Sequence, residues 1–224
     1  MKPVYIREDA ELQREHLSAA CQSLYQRGWM PGTSGSISMR SGEAAVITAG
    51  DLSKWMMTRQ DTVMVDPFRG LPLLGEVEWP PAETPVHLAI YQRLPDCGAV
   101  IHADTPCSAA ISALAGSAGR GGEVDFQELG MATGLAVSDP RLTVLPAIED
   151  WHDAPGIAND VITCLGLDEP TADAPLALLI ERHGIFTWGR DADEACSRLE
   201  CAEELSRLLL ESVDGPGLAT VNAR

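Results

Sequence analysis

The sequence predicts an α/β protein organised around one sheet, and three observations carry that reading. Short apolar runs of strand length recur at 44–48, 62–66, 99–101, 176–180 and 185–189. Amphipathic stretches with capping residues fall between them. The 224 residues contain no internal repeat and no linker-like segment, which makes a single domain spanning 1–224, with a core at about 9–212, the economical organisation.

In chain order, residues 9–27 place Leu17, Ala20, Cys21 and Leu24 on one helical stripe, with Asp9 positioned to cap the start and Gly28 to end it. Residues 28–40 begin as a Gly/Pro turn and finish with strand alternation. The segment Gly32-Thr33-Ser34-Gly35-Ser36 offers small side chains, hydroxyls and accessible N–H groups, either a cradle for an anion or a plain turn. Strands are expected at 44–48 and 62–66, separated by a loop carrying Lys54. Thr84-Pro85 reads as a helix N-cap and first-turn proline, with Glu83 just ahead, where a helix N-terminus favours an ionised carboxylate. This helix ends near Arg93 and contains His87, which reads primarily as structural.

The most informative stretch is 97–112. Ala99-Val100-Ile101 is a short buried strand, and His102 and Asp104 follow it. In extended chain they point to one side, a plausible half of a metal site, although Asp104 could equally cap the helix that Thr105-Pro106 begins. Residues 116–122 read as loop, 142–145 as strand, 154–164 as helix and 168–174 as an acidic loop. The run 176–180 is strand, and His183-Gly184 breaks it from the next strand at 185–189. Asp191-Ala192-Asp193-Glu194 is a capping box for a final helix, and residues after Gly215 read as a frayed tail.

Composition narrows the function. A net charge of −17 with only two lysines, Lys2 and Lys54, disfavours nucleic acid and anionic membranes as partners. No apolar run reaches membrane-span length, and the first residues lack a secretory core. Six cysteines without a Cys-x-x-Cys pair fit reduced thiols and a cytoplasmic location.

Several segments, taken in order, resemble the class II aldolase/adducin-like family, and within it the methylthioribulose-1-phosphate dehydratases of methionine salvage. They are Gly28-Trp29 with Gly32-Thr33-Ser34-Gly35-x-Ile37-Ser38; Pro81-Ala82-Glu83-Thr84 with His87 and Tyr91; Gly98-Ala99-Val100-Ile101-His102; Phe126-Gln127-Glu128; and Arg182-His183-Gly184-Ile185-Phe186-Thr187-Trp188-Gly189. The resemblance implies a three-layer α/β/α domain with a largely antiparallel central sheet, assembled as a homotetramer with active sites near subunit interfaces. It also implies one divalent metal, zinc first, at His102, Asp104 and His183. Thr33, Ser34, Gly35 and Lys54 would face the phosphate of a small sugar substrate, and Glu128 would act as general acid/base. Glu83 is the second candidate carboxylate, because aldolases of the family use an acid near that helix start.

The sequence departs from the family at four places. His102-Ala103-Asp104 stands where the family has His-x-His, which brings manganese or iron into consideration. Gly50-Asp51 replaces Ser-Gly, Ser36 stands where many members have Asn, and a register shifted by two would put Gly130 at the acid/base position. The implied activity is dehydration of 5-methylthioribulose 1-phosphate. Its rivals are a diverged sugar-phosphate aldolase or epimerase, and a metal-free, adducin-like scaffold.

Overall fold

The computed structural model describes residues 5–115, 122–126, 144–150, 153–166 and 175–213. The expectations for the loop at 168–174 and the tail after Gly215 fall outside these residues, as does all of the expected loop 116–122 except Gly122, which opens a strand. The described chain runs α1 (Ala10–Gln26), β1 (Ser36–Ser41), β2 (Ala44–Thr48), β3 (Thr62–Val65), α2 (Thr84–Arg93), β4 (Ala99–Ala103), α3 (Pro106–Ala115) and β5 (Gly122–Asp125). It continues through β6 (Val144–Ile148), α4 (Ala154–Cys164), β7 (Ala177–Ile180), β8 (Gly184–Gly189) and α5 (Ala192–Val213).

The strands form one sheet in the order β3-β2-β1-β4-β8-β7-β6-β5. Every neighbouring pair is antiparallel except β6 and β7. Side chains alternate across the pleat, so each strand feeds two cores. Ile37, Ile101, Leu179 and Ile185 face one side and pack with Leu17 and Leu24 of α1, Ile111 of α3 and Leu199 and Leu205 of α5. Val100, Leu178, Phe186 and Trp188 face the other, against Val86 and Ile90 of α2 and Ile157 and Val161 of α4. Helices therefore cover both faces, and the expected three layers and largely antiparallel sheet are what the chain forms.

β5 escapes sequence reading because Gly122-Glu123-Val124-Asp125 buries only Val124 and shows no apolar run. Of the strand expected at 142–145, residues 142 and 143 lie outside the described residues, and β6 runs from Val144 through Pro146 to Ile148.

Helix starts differ more. Asp9 does not cap α1; its carboxylate accepts two bonds from the Arg7 guanidinium, at 2.8 and 2.6 Å. Thr84 is the first residue of α2 rather than its cap, and its hydroxyl donates to the Pro81 carbonyl at 2.6 Å. Asp191 does accept from the Glu194 N–H at 2.9 Å, but the Glu194 carboxylate turns to the N–H of Arg190 at 2.7 Å, so only half of the expected capping box forms. The Thr105 hydroxyl is buried without a partner. The cap of α3 comes from across the layer, where the buried carboxylate of Glu203 on α5 accepts from the N–H groups of Cys107 and Ser108, each at 2.9 Å, and from the Ser108 hydroxyl. An anion at a helix N-terminus is favoured by the dipole as well as by these bonds.

On the opposite face, α2 is tied to β1 by a buried polar chain. The two ring nitrogens of His87 contact the hydroxyls of Ser36 and Ser38 at 2.9 and 2.8 Å, and Ser38 reaches the Tyr91 hydroxyl at 2.9 Å. Arg40 stacks on the Tyr91 ring and donates to the carbonyls of Cys97 and Tyr91. Burial pushes His87 down to about 3, with the charge of Glu83 opposing that shift and His102 adding to it. His87 is thus a neutral structural residue.

Two outcomes follow from these two clamps. Glu203→Ala leaves buried N–H groups unpaired and is expected to lower unfolding free energy by about 2–3 kcal/mol, with Glu203→Gln losing less. Urea denaturation measures both, and a change below about 0.5 kcal/mol for the alanine variant contradicts the cap's importance. For His87, the unfolded ring takes up a proton near its ordinary value while the folded ring refuses it until about 3. Its contribution is therefore present above about pH 6.5 and is lost as pH falls through that interval, by up to about 1.4 kcal/mol per pH unit. Denaturation across pH 3–7 should show a shallower dependence in His87→Gln, and identical slopes would refute the assignment.

Candidate metal centre

His102 is carried by the central strand β4, opposite Ser36 of β1 on one side and Phe186 of β8 on the other. Its ring stacks on Phe186, with centroids 4.3 Å apart and planes 7° from parallel. Two residues on, Asp104 projects to the same side, and its backbone N–H donates to the Trp29 carbonyl at 2.9 Å. His183 lies in the turn between β7 and β8. Arg182 there takes a left-handed φ of 58°, and its N–H donates to the Ser112 hydroxyl of α3 at 3.0 Å, which anchors the turn. The residue after His183 must be small: a Cβ on Gly184 would lie 2.3 Å from the Ala103 carbonyl oxygen and 3.0 Å from Asp104 Oδ1.

These elements bring together the three residues expected as ligands. Asp104 Oδ1 stands 3.6 Å from His102 Nε2 and 3.7 Å from His183 Nε2, and one donor atom from each residue lies within 4.8 Å of the others. His102 Nε2 and Asp104 Oδ1 are both buried and neither has a hydrogen-bond partner. Leaving such atoms unpaired is costly. The separations exceed hydrogen bonds, yet they are close to the roughly 3.4 Å expected between atoms sharing one ion at about 2.1 Å in tetrahedral geometry. The donor set therefore fits a divalent cation. The alternative reading of Asp104 as a helix cap fails, because Glu203 takes the N–H groups at the start of α3.

Each imidazole presents its other nitrogen to a carboxylate. His102 Nδ1 is 3.5 Å from Glu83 Oε1, and His183 Nδ1 is 3.4 Å from Asp150 Oδ2. Burial alone would raise the Glu83 carboxyl, but the hydrogen bond and charge of His102 prevail and hold it well below the usual range. Asp150 and Phe186 were missed as site residues in the sequence. The available signal was strand β6: once it is carried past Pro146, Asp150 sits just beyond its end.

The centre opens into a cavity of about 450 Å³. Thr33, Ser34 and Gly35 line one wall, and the Ser34 hydroxyl is buried without a partner. Gly35 has φ of 72°, and a Cβ there would meet Met30 Cγ at 2.7 Å and the His102 carbonyl at 2.9 Å, so glycine lets this loop lie against β4. Lys54 lies beneath the loop, fully buried, and donates to the carbonyls of Thr33 and Leu52 at 3.2 and 3.0 Å. Burial lowers its affinity for a proton, while nearby Cys21, Glu83 and Asp51 oppose that shift. Carboxylates of Asp51, Glu83, Asp104, Asp150 and Asp153 line the cavity, and among the described residues no lysine or arginine does. Glu128 lies outside the described residues. A larger groove of about 820 Å³ runs past Gln13 between Arg7 and Arg190, but those arginines are already paired with Asp9 and Glu194.

Comparison with known proteins gives a consistent picture. The model of the class II aldolase and adducin N-terminal domain matches residues 15–210. A Nocardia farcinica protein named "Probable bifunctional methylthioribose-1-phosphate isomerase/methylthioribulose-1-phosphate dehydratase" is 37% identical over 196 residues, covering 88% of this chain and 35% of the relative. The chain thus spans about a third of that protein. A methylthioribulose-1-phosphate dehydratase from Sulfurihydrogenibium is 32% identical over 190 residues, covering 83% of each. In fold, the crystal structure of YgbL from Escherichia coli superposes with a TM-score of 0.75 at 24% identity, over 93% of each chain. By the extent of the family match and the identity of these relatives, the chain belongs to the class II aldolase and adducin N-terminal domain family.

Proposed function

We propose that this chain is a metal-dependent carbon–oxygen lyase that dehydrates 5-methylthioribulose 1-phosphate in methionine salvage. One observation carries the reading: two buried, unpartnered donor atoms, on His102 and Asp104, converge with His183 Nε2 at the floor of a cavity. The names of the relatives supply the substrate. A metal-free scaffold has no use for desolvated donors held this way, which disfavours that alternative.

His102, Asp104 and His183 would hold one divalent ion, zinc first and manganese or iron next given the carboxylate. Bound there, the ion supplies Lewis acidity that polarises the ketose carbonyl and acidifies the adjacent C–H. The chain's own residues do the rest. Glu83 orients the His102 ring through Nδ1. Glu128 moves the proton to the departing hydroxyl as general acid/base. Thr33, Ser34 and Gly35 bind the phosphate, and Lys54 supports that loop from below through the Thr33 carbonyl.

Among the described residues the acidic lining offers a phosphate no lysine or arginine. A homotetramer with active sites near subunit interfaces gives a natural source for one. A cytoplasmic location accords with the six unpaired cysteines. The same lining, Asp51 above all, favours a changed sugar phosphate and keeps an aldolase or epimerase reaction as the second reading.

Metal analysis of the purified protein should find one divalent ion per chain, lost in His183→Ala; absence of metal from every preparation sinks the proposal. Glu128→Gln should keep the ion and reduce turnover of methylthioribulose 1-phosphate by at least about a hundredfold. Unchanged turnover removes Glu128 from this role. Fuculose and ribulose phosphates assayed alongside separate the two reactions, because carbon–carbon cleavage without water loss would establish the aldolase.

A further inference from the structure

Among the described residues β6 and β7 are the one parallel pair in the sheet, with Ile148 opposite Ile180. Parallel strands finish at the same edge, so the residues just beyond their C-terminal ends meet. The pairing extends past the strands, since the Glu181 N–H donates to the Ile148 carbonyl at 3.0 Å. Beyond β7 lies His183, and beyond β6 lies Asp150. Their side chains approach to 3.4 Å between His183 Nδ1 and Asp150 Oδ2, while His183 Nε2 faces Asp104.

The two histidines of the centre are not equally held. The His102 side chain is 5% exposed and stacked on Phe186. The His183 side chain is 41% exposed and sits on a turn, where its ring contact is edge-on to His102 at 5.2 Å. An exposed ring loses rotational freedom on binding a metal, and a fixed partner on its outer nitrogen reduces that loss.

We propose that Asp150 is a positioning residue for the metal centre: its carboxylate holds Nδ1 of His183, so that Nε2 faces Asp104 and His102 as a stronger ligand. The parallel register of β6 and β7 is what delivers it. The inference rests on the metal-centre reading above and adds to it a residue outside the three ligands.

The test is a zinc titration of the metal-free full chain against a competing chelator, with thermal unfolding of the same metal-free samples. Asp150→Ala should bind zinc about 10- to 100-fold more weakly, the range typical of lost outer partners of metal-ligating histidines. Asp150→Asn, which keeps an acceptor without the charge, should fall between it and the parent. A merely structural role would lower the metal-free melting temperature and leave zinc affinity unchanged, so an affinity within about twofold of the parent overturns the proposal. Should Asp150→Ala fail to fold, Asp150→Asn decides, and parental affinity there also overturns it. If the unaltered chain takes up no zinc, the titration is repeated with manganese and ferrous iron, and uptake of none of the three means that the metal-centre reading itself fails. If it binds zinc and both variants match it, only the role of Asp150 is lost.

Discussion

The structure turns on the desolvation of a few polar atoms at the end of strand β4. His102 Nε2 and Asp104 Oδ1 are removed from water without hydrogen bonds, a condition that costs free energy unless a ligand answers them. They are kept there by backbone features rather than by side-chain chance. β4 is paired on both edges, by β1 and β8, so the strand cannot shift to relieve its last residues. Gly184 brings the β8 backbone against Ala103 and Asp104 at a distance no other residue allows. The Trp29 carbonyl and the Ser112 hydroxyl hold the two segments that carry Asp104 and His183.

The same sheet explains why the two outer clamps are polar. On one face Glu203 spans α5 to α3, and on the other His87 spans α2 to β1. Each fastens a helix adjoining the site: α3 starts two residues after Asp104, and α2 starts directly after Glu83. Apolar packing alone would hold these helices against the sheet but leave their position along it loosely specified. Directional bonds from buried groups fix that position, and with it the placement of Glu83 and Asp104, which precede the two helices.

Much of this was legible in the sequence because it depends on periodicity. Strand and helix runs located both layers, and the spacing of His102 and Asp104 placed them on one side. The resemblance to a family supplied His183 and the sheet's antiparallel character. What could not be read is what depends on contacts between distant segments. The cap of α3 resides 95 residues away from Ser108, in Glu203, so the local Thr105-Pro106 signal named the wrong group. Lys54 is expected to face the phosphate, yet it is fully buried beneath the loop, donates to the Thr33 and Leu52 carbonyls, and does not line the cavity. Asp150 follows a proline-interrupted strand, and only the parallel register with β7 gives it meaning.

The carboxylate at position 104 then has to be weighed with its surroundings rather than alone. A second imidazole there would leave the centre neutral apart from its ion. Asp104 adds a negative charge among Asp51, Glu83, Asp150 and Asp153, in a chain that is already strongly acidic. That concentration opposes an anionic substrate and favours a tightly held cation, since the same carboxylates that repel phosphate attract a divalent ion through a partly desolvated medium. On the proposed reading, a cation held by His102, Asp104 and His183 would reverse that balance locally at the cavity floor. Metal binding and substrate binding would thereby be coupled: without an ion the lining carboxylates would repel a sugar phosphate, and a bound ion would offset that repulsion.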